Sequence, residues 1–244
     1  MSTYFLADVH LNQNQEATVD AFLAFLDRGM DDAHGLYILG DLFHLWLGDD
    51  DDTRFPHLFV LDALRRITAR GISIGILHGN HDFLLGIKFE KRTGCRILPD
   101  PSIIELYGNK VLISHGDILC TDDRTYQEYR KQVRNPFKQR LFLALPLKYR
   151  AKKAASVQDV SKEAVQGKHM HIMDVNQDAV KEMMREHNAP YLIHGHTHRP
   201  GIHQIPLEEG DIATRIALGD WYQNSNQRVL AWDKDGFRWA GSDG

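Results

Sequence analysis

Three histidines stand at alternate positions in residues 191–200, YLIHGHTHRP, directly after a short apolar run. Imidazole is the commonest protein ligand of metal ions, and it accepts or donates a proton near neutral pH. The spacing of His196 and His198 therefore suits metal binding or proton transfer. A histidine cluster can equally be a solvated surface turn, so the other polar segments of the chain must decide between these interpretations.

Four earlier apolar runs also end at glycine or at residues that bind metals and move protons. Each run is typical of a short buried strand. The segments are YFLADVH at 4–10, LYILGD at 36–41, ISIGILHGNHD at 72–82 and KVLISHGD at 110–117. Because functional loops lie at the carboxyl ends of strands in α/β sheets, we expect all five polar tips to meet at one edge.

Helix-like segments separate the first strands. Residues 17–26 and 55–70 have the apolar spacing of amphipathic helices. Strands that alternate with helices predict βαβ units and a largely parallel central sheet. After Pro200 the pattern changes to alternating strands with turns such as that at 234–236, which predicts antiparallel hairpins.

The positions of the polar tips predict an insertion. The first four tips are evenly spaced, at Asp8, Asp41, Asn80 and His115, with steps of 33, 39 and 35 residues. The next step, from His115 to His196, is 81 residues, which leaves roughly forty residues beyond one crossover connection. We therefore expect a core formed by residues 1–121 and 188–244, with a helical cap inserted at 122–187.

The composition is that of a reduced globular protein. The 244 residues are 43% hydrophobic, which is enough to bury a sizeable core. Cys95 and Cys120 form no CxxC motif, so neither a disulfide framework nor a thiolate metal site is expected. The net charge of −4 argues against nucleic-acid binding. With no basic leader and no apolar run of ~18 residues, we expect neither a signal peptide nor a membrane-spanning helix.

The five tips together supply seven nitrogen and oxygen donors and no thiolate. They are Asp8, His10, Asp41, Asn80, His115, His196 and His198. One catalytic metal ion usually takes about three protein ligands, whereas seven donors suit two divalent ions that share a carboxylate and lie ~3.5–4 Å apart. The mixture of imidazole and carboxylate donors is compatible with manganese, iron or zinc.

In this order along the chain, the motifs DVH, GD, GNHD, HG and GHTH resemble the calcineurin-like metallophosphoesterase superfamily. The resemblance implies an α/β fold, a two-sheet sandwich flanked by helices, and a metal-dependent hydrolase. It assigns one metal ion to Asp8, His10, Asp41 and His198. It assigns the second ion to Asp41, Asn80, His115 and His196, so that Asp41 bridges the two ions.

The same resemblance implies catalytic roles. A water that bridges two dications is deprotonated near neutral pH and attacks phosphorus. His81 follows the ligand Asn80, where it would stabilise the developing charge or protonate the leaving oxygen. As a hypothesis, Asp82 orients His81. His194 either points away from the ions or supports their ligands.

Longer stretches such as GDLFHLWLGDDDD, SHGDILCTDD and IMDVNQDAV resemble the family of UDP-2,3-diacylglucosamine pyrophosphatases, over residues 4–221. This resemblance implies hydrolysis of a UDP-linked glycolipid to UMP and 2,3-diacylglucosamine 1-phosphate, a step of lipid A biosynthesis. It also implies two divalent ions, with manganese expected. The protein would be a cytoplasmic monomer, bound peripherally to the anionic surface of the inner membrane.

The resemblance extends to substrate contacts, with two departures. Against the phosphate it places Asn80, His81 and His196. Against the glucosamine head it places Asp123, Ser161 and Lys168. The pyrophosphatase family usually has arginine at the position of His81 and often has asparagine at the position of Val165. Because imidazole titrates and guanidinium does not, substrate affinity and pH dependence can differ here.

Residues 130–153 contain nine of the chain's 29 Lys and Arg and no Asp or Glu. The rest of the chain has 20 basic against 33 acidic residues, which marks this segment as a dedicated surface. The apolar run LFLALPL at 141–147 fits a cap that lies on an anionic membrane and shelters acyl chains. The same composition fits a solvated basic helix with an ordinary packed apolar side.

Two other functions are compatible with the motifs. A metallophosphodiesterase that acts on soluble nucleotides needs the same metal ligands but no apolar cap. A non-catalytic scaffold with this fold needs no metal ligands, whereas all seven predicted ligands and His81 are present.

Overall fold

Two β-sheets and seven α-helices form the computed structural model, which describes residues 1–52, 54–166, 174–207, 210–222 and 227–240, and only the backbone of 157–166. The strands are β1 (Ser2–Leu6), β2 (Ala33–Ile38), β3 (Ser73–Ile76), β4 (Arg96–Ile97), β5 (Ser102–Leu106), β6 (Asn109–Ser114), β7 (Tyr191–His194), β8 (Gly201–Pro206), β9 (Ile212–Ala217), β10 (Val229–Asp233) and β11 (Gly236–Trp239). The helices are α1 (Glu16–Arg28), α2 (His57–Ala69), α3 (Ile87–Thr93), α4 (Arg124–Val133), α5 (Pro136–Leu143), α6 (Leu147–Gln166) and α7 (Gln177–Glu186).

The first sheet has the strand order β11-β10-β1-β2-β3-β4. Strands β1 to β4 are parallel, and β10 and β11 are antiparallel strands at one edge. All five residues of β1 are buried, because this strand lies in the middle of a sheet that is covered on both faces. A strand in that environment is a continuous apolar run rather than an alternating one.

The second sheet has the order β5-β6-β7-β9-β8, with β6, β7 and β9 parallel. The alternation of strands and helices alone predicts one central sheet, and that prediction is wrong. The turn at Tyr107 and Gly108, both at positive φ, pairs β5 with β6 as a hairpin that begins a separate sheet. Periodicity identifies strands but does not encode which strands pair.

Helices cover the outer faces of the two sheets. The side chains between the sheets include Phe5, Leu39, Leu77, Ile113, Ile193 and Ile216. On the far side of the first sheet, α1 and α2 bury Val19 and Val60. On the far side of the second sheet, α7 buries Val180 and Met184. The α/β two-sheet sandwich flanked by helices is therefore confirmed.

Several predicted elements are also confirmed. Helices α1 and α2 occupy the segments predicted at 17–26 and 55–70. Strands β8 and β9, and β10 and β11, form the expected antiparallel hairpins after Pro200. The second hairpin turns between Asp233 and Gly236, at the predicted turn.

Helices α4, α5 and α6 are inserted between β6 and α7. Neither α4 nor α5 contains a buried residue, whereas α7 packs on the second sheet. The boundaries of the cap, 122–187, stay a prediction, and α7 within them has the packing of a core helix. Among the described residues, no helix has the length and apolar character needed to cross a membrane.

Candidate metal centre

The loops after β1, β2, β3, β6 and β7 meet at the carboxyl ends of these strands and carry all seven predicted ligands. Four of the ligands are buried, namely Asp8, His10, Asp41 and His115. The other three are half-buried, namely Asn80, His196 and His198. The candidate site is therefore enclosed by protein on one side and open to solvent on the other.

The first group of ligands surrounds one oxygen of Asp8. His10 Nε2 and His198 Nε2 lie 3.9 Å and 3.5 Å from Asp8 Oδ1, and the two nitrogens are 3.4 Å apart. Among the described residues, Asp8 Oδ1 is buried and has no hydrogen-bond partner. Convergent lone pairs on buried atoms repel unless a proton or a cation lies between them. This group therefore fits a bound cation.

The second group surrounds His115. The Nδ1 atom of His115 donates to the Leu39 carbonyl over 2.8 Å, because a carbonyl can only accept. The other ring nitrogen, Nε2, lies 3.0 Å from Asn80 Oδ1 and 3.8 Å from Asp41 Oδ2. The His196 ring lies beside that of His115, with 5.0 Å between centroids. Three acceptors again face a common point, so this group also fits a cation.

Each ligand carboxylate divides its two oxygens between the backbone and the site. The Asp8 Oδ2 atom accepts from the His196 backbone N–H over 2.7 Å, which leaves Oδ1 for the first group. Asp41 Oδ1 accepts from the His81 N–H over 2.8 Å. Asp41 Oδ2 lies 3.7 Å from His10 Nε2 and 3.8 Å from His115 Nε2. Asp41 therefore stands between the two groups.

The backbone of these loops is strained at the ligands. Five of the seven ligands have left-handed φ angles, namely Asp8 (53°), His10 (51°), Asp41 (53°), His196 (68°) and His198 (55°). A left-handed conformation costs an L-residue roughly 1–2 kcal/mol, and such strain is concentrated at functional sites. Neighbouring ligands such as Asp8 and His10 are two residues apart, a spacing that places side chains on one face of a regular strand. The left-handed φ angles show that the chain has left the extended conformation at these five ligands.

Two glycines let the chain pass close to the ligand carboxylates. A Cβ on Gly79 would lie 2.0 Å from Asp41 Oδ1, and a Cβ on Gly195 would lie 2.4 Å from Asp8 Oδ2. Neither distance is possible between real atoms. The glycine of each GNHD and GHTH motif is therefore required by the position of the carboxylate beside it.

The side chain of His81 is held by the loop after β2. Its Nδ1 donates to the His44 carbonyl over 2.9 Å, which leaves Nε2 with a lone pair or a proton for a bound molecule. His81 is half-buried and follows Asn80 directly. This position is compatible with the predicted contact with phosphate.

The hypothesis that Asp82 orients His81 is wrong. Asp82 is fully buried, and its carboxylate accepts from the backbone N–H groups of Asp41, Leu42, Phe43 and Gly79, over 2.8–3.3 Å. The carboxylate thus joins the loop of Asp41 to the loop of Asn80. A buried carboxylate needs several donors, and four backbone amides satisfy this one without His81.

The third histidine of the GHTH segment supports the site from behind. His194 is buried, and its Nδ1 donates to the Gly195 carbonyl over 2.8 Å. Its Nε2 accepts from the Arg215 guanidinium over 3.2 Å. Burial, together with the charge of Arg215, lowers the pKa of His194 to about 3. His194 is therefore a neutral supporting residue, as one of the two interpretations expected.

The motifs missed a carboxylate that orients a ligand. Asp220 Oδ2 lies 3.1 Å from His198 Nδ1. A carboxylate in this position fixes the tautomer and the ring direction of a metal-binding histidine. Asp220 follows Gly219 at the end of β9, which is the same Gly-Asp pattern that identifies Asp41, so the signal was available in the sequence.

The charges of the site are strongly coupled. Burial lowers the pKa of His115, but the carboxylates of Asp41 and Asp117 outweigh it and raise this pKa to about 9. Burial raises the pKa of Asp41 to about 6 despite the imidazoles around it. Burial and the nearby His115 lower the pKa of His196 to about 4. The carboxylates thus attract one positive charge to the centre, and a cation would supply it.

Comparison with known proteins identifies the family. A family model described as calcineurin-like phosphoesterase matches residues 1–200. The chain belongs to the calcineurin-like phosphoesterase family. Members of this family use divalent metal ions, and the acidic and imidazole groups of this chain are of the kind that holds them. The chain is therefore a metal-dependent phosphoesterase.

Close relatives of this phosphoesterase share a name. A protein of Pectobacterium carotovorum subsp. carotovorum is 47% identical over 93% of this chain and 93% of its own length. One of Serratia proteamaculans is 45% identical over 96% of both chains, and one of Photorhabdus laumondii subsp. laumondii is 46% identical over 93% of both. Each is named UDP-2,3-diacylglucosamine hydrolase.

Helix α4 connects the inserted helices of the phosphoesterase to the metal centre. The buried Asp117 accepts from Tyr126 Oη over 2.7 Å and from Arg130 Nε over 2.8 Å. Arg134 Nη2 donates to the carbonyls of His78 and Gly79 over 3.2 Å and 2.9 Å, directly before Asn80. The ring of Tyr126 also stacks on His196, with 5.9 Å between centroids. The position of α4 is thus linked to ligands of the second group.

Of the three predicted contacts with the glucosamine head, only the side chain of Asp123 lies within the described part of the chain. Asp123 is only 8% exposed and accepts from the Tyr126 N–H over 3.0 Å, as the N-cap of α4. Its contact with substrate stays a prediction. The side chain of Ser161, that of Val165 and all of Lys168 lie outside the described residues.

Three of the nine cations of residues 130–153 have internal roles. Arg130 and Arg134 bind the core as described above, and Arg150 is only 1% exposed. Arg150 donates to the carbonyls of Leu47 and Leu145 and pairs with Asp50. The interpretation of the whole segment as a solvent-facing basic surface is therefore wrong for these three arginines. The other six cations are exposed, namely Lys131, Lys138, Arg140, Lys148, Lys152 and Lys153.

Proposed function

We propose that the chain hydrolyses the pyrophosphate bond of UDP-2,3-diacylglucosamine to UMP and 2,3-diacylglucosamine 1-phosphate, as a step of lipid A biosynthesis. The names of three relatives that match nearly the whole chain support this reaction. The observation that carries the chemistry is the position of Asp41 Oδ2, within 3.8 Å of ring nitrogens from both ligand groups. A shared carboxylate is what a pair of neighbouring dications requires.

Two divalent ions, expected to be manganese, fit the two groups. The first would be held by Asp8, His10, Asp41 and His198. The second would be held by Asp41, Asn80, His115 and His196. When bound, such ions supply a water nucleophile near neutral pH and offset the charge of the phosphoryl oxygens.

The residues around the ions would contact the phosphate and stabilise the charge that develops during the reaction. His81 is half-buried beside Asn80, and its Nδ1 is engaged by the His44 carbonyl, which leaves Nε2 for a bound molecule. A proton on Nε2 would stabilise the negative charge at phosphorus or pass to the leaving oxygen. Asn80 and His196, both half-buried at the open side, would contact the phosphate. Asp82 acts indirectly, through the backbone of the Asp41 loop.

The inserted helices suit a lipid substrate at a membrane surface. Beside the six exposed cations, large apolar side chains are exposed, namely Phe137 (70%), Leu141 (57%), Leu143 (40%), Leu145 (40%) and Tyr149 (65%). Apolar side chains next to lysines are the composition of a surface that binds anionic lipid. We infer a monomer bound peripherally to the cytoplasmic face of the inner membrane, with residues 122–187 as a cap over the acyl chains. Asp123, Ser161 and Lys168 would contact the glucosamine head.

One experiment separates this function from its rival. The manganese-loaded protein is incubated with UDP-2,3-diacylglucosamine, and the products are analysed for UMP. Release of UMP together with the lipid monophosphate is expected. Hydrolysis of a generic phosphodiester without release of UMP would instead favour a metallophosphodiesterase that acts on soluble nucleotides.

A further inference from the structure

A third imidazole lies beside the metal centre and belongs to neither ligand group. His44 is in the loop after β2, and its ring centroid is 5.2 Å from that of His81 and 6.1 Å from that of His10. The rings of His10 and His81 are 4.8 Å apart, centroid to centroid. One nitrogen from each of the three rings lies within 4.8 Å of the other two, a separation at which the three can hold one ion.

The side-chain hydrogen bond of His81 prepares this residue as a ligand. The Nδ1 atom of His81 donates to a backbone carbonyl, which fixes the tautomer with a lone pair on Nε2. This is the usual arrangement of a metal-binding histidine. His10 is 5% exposed, and among the described residues its Nδ1 has no hydrogen-bond partner. His44 and His81 are half-buried, so the cluster can be reached from solvent.

We propose that His10, His44 and His81 form a third cation site that takes zinc in preference to manganese. The donor set consists of imidazole alone. Imidazole suits zinc, whereas manganese and magnesium prefer sites rich in carboxylate and water oxygen. Three protein ligands with a fourth position open to solvent is also a common zinc geometry. The other two groups each contain carboxylate oxygen, so the three sites differ in their metal preference.

Zinc at this site inhibits the enzyme. His10 belongs to the first ligand group, and His81 is the residue assigned to the leaving oxygen. An ion held by both withdraws one ligand from the activating metal and the proton donor from the substrate. This consequence rests on the proposed function, whereas the binding of zinc does not.

The test compares the wild type with His44→Gln and with a matched control, His34→Gln. His34 is an exposed residue in β2, which ends at the site, but it lies near the amino end of that strand. Each manganese-loaded full-length protein is titrated with zinc, and bound zinc is measured by equilibrium dialysis and elemental analysis. We expect His44→Gln to bind zinc at least about tenfold more weakly than the wild type and His34→Gln. His44→Asn serves as a second variant if circular dichroism shows His44→Gln to be misfolded.

Hydrolysis rates, each relative to the zinc-free rate of the same variant, give the second measurement. The zinc concentration for half inhibition should rise about tenfold in His44→Gln and stay unchanged in His34→Gln. Zinc that merely replaces manganese in the other groups would affect all variants equally. Equal zinc affinity in the wild type and both His44 variants would overturn the proposal. If zinc binding depends on His44 but the protein releases no UMP from UDP-2,3-diacylglucosamine, the zinc site is supported and the proposed function is contradicted.

Discussion

At the scale of single residues, the candidate site depends on carboxylates that are each fixed by one oxygen. Asp41 is held at Oδ1 by a backbone amide, and Oδ2 stands between His10 and His115. Fixing one oxygen restricts the side chain to the orientation that serves both groups. The same division at Asp8 leaves Oδ1 buried and without a hydrogen-bond partner in the described part of the chain. The two carboxylates are therefore preorganised for cations at a cost in stability to the metal-free protein.

Asp41→Ala should empty or disorder both metal positions, because both groups lose the shared oxygen. Elemental analysis after gel filtration would then find far less than two manganese ions per chain. Asp27→Asn, an exposed change in α1, is the matched control and should retain both ions. A variant at position 41 that keeps two tightly bound ions would rule out the bridge.

His81→Ala should separate metal binding from turnover. The side-chain hydrogen bond of His81 goes to the backbone carbonyl of His44 and not to a predicted metal ligand. The manganese content of the variant should therefore match that of the wild type. Turnover should fall ~10²-fold or more, because a general acid or charge-stabilising group is removed. Metal content and hydrolysis of the UDP-linked lipid are measured on the same sample. Parallel loss of both would contradict the role assigned to this residue.

Asp220→Asn should weaken metal binding through His198. The carboxylate 3.1 Å from His198 Nδ1 holds the ring in one tautomer, and an amide can reverse that preference. Removing such a partner typically reduces metal affinity ~10–100-fold. The manganese dependence of the rate should shift accordingly, with kcat largely restored at saturating manganese. An unchanged manganese dependence would show that Asp220 has no such role.

At the scale of secondary-structure elements, α4 is the connection between the inserted helices and the site. Its residues Tyr126 and Arg130 bind the buried Asp117, and Arg134 binds the two carbonyls before Asn80. Burial raises the pKa of the Asp117 carboxyl, but the charges of His115 and Arg130 outweigh it and hold this pKa well below the usual range. Asp117 is thus an anion around which α4 is docked.

Arg134→Gln should loosen the loop that carries Asn80 without unfolding the protein. We expect kcat to fall about tenfold, since small displacements of positioning groups have effects of this size or larger. We also expect the second ligand group to bind manganese with lower affinity. Lys131→Gln on the same helix is the control, because Lys131 is exposed and paired only with Glu128 among its described contacts. If the two variants show equal rates and equal manganese affinity, α4 does not position the loop.

The sequence predicts the elements of this fold better than their arrangement. Strands β1, β2, β3, β6 and β7 were predicted because each is an apolar run that ends in polar residues. The apolar pattern does not predict how these strands divide between two sheets, because that division depends on the hairpin of β5 and β6. The left-handed backbone at five ligands has no signature in composition. Composition alone predicts that Arg150 is a surface charge. Its burial cannot be predicted in this way, because it depends on partners such as Asp50 that are distant in sequence.

At the scale of the whole molecule, residues 130–153 combine six exposed cations with five exposed apolar side chains and no acidic residue, whereas the rest of the chain has an acidic excess. A molecule with this asymmetry would approach an anionic membrane in one orientation. Because three arginines have internal roles, six exposed cations of residues 130–153 would be the ones to contact such a membrane. The open side of the metal centre is linked to the same helices through α4, so substrate and membrane would be engaged by one unit.

Lys152→Gln combined with Lys153→Gln should reduce binding to anionic vesicles. Each lysine near such a surface contributes about 1 kcal/mol, so the pair corresponds to roughly tenfold or more in partitioning. Vesicle flotation at low salt measures it, and high salt should weaken binding of the wild type because the charges are screened. Lys91→Gln with Lys234→Gln, two exposed lysines outside residues 130–153, is the control. Equal flotation of the two double variants would show that the inserted helices are not the surface that binds the membrane.

The most direct test of the central proposal is anomalous diffraction from crystals of the protein grown with manganese. We predict two manganese peaks ~3.5–4 Å apart, with Asp41 bound to both ions and the other six ligands divided between them. A single peak, no peak, or two ions that do not share Asp41 would contradict the proposed chemistry.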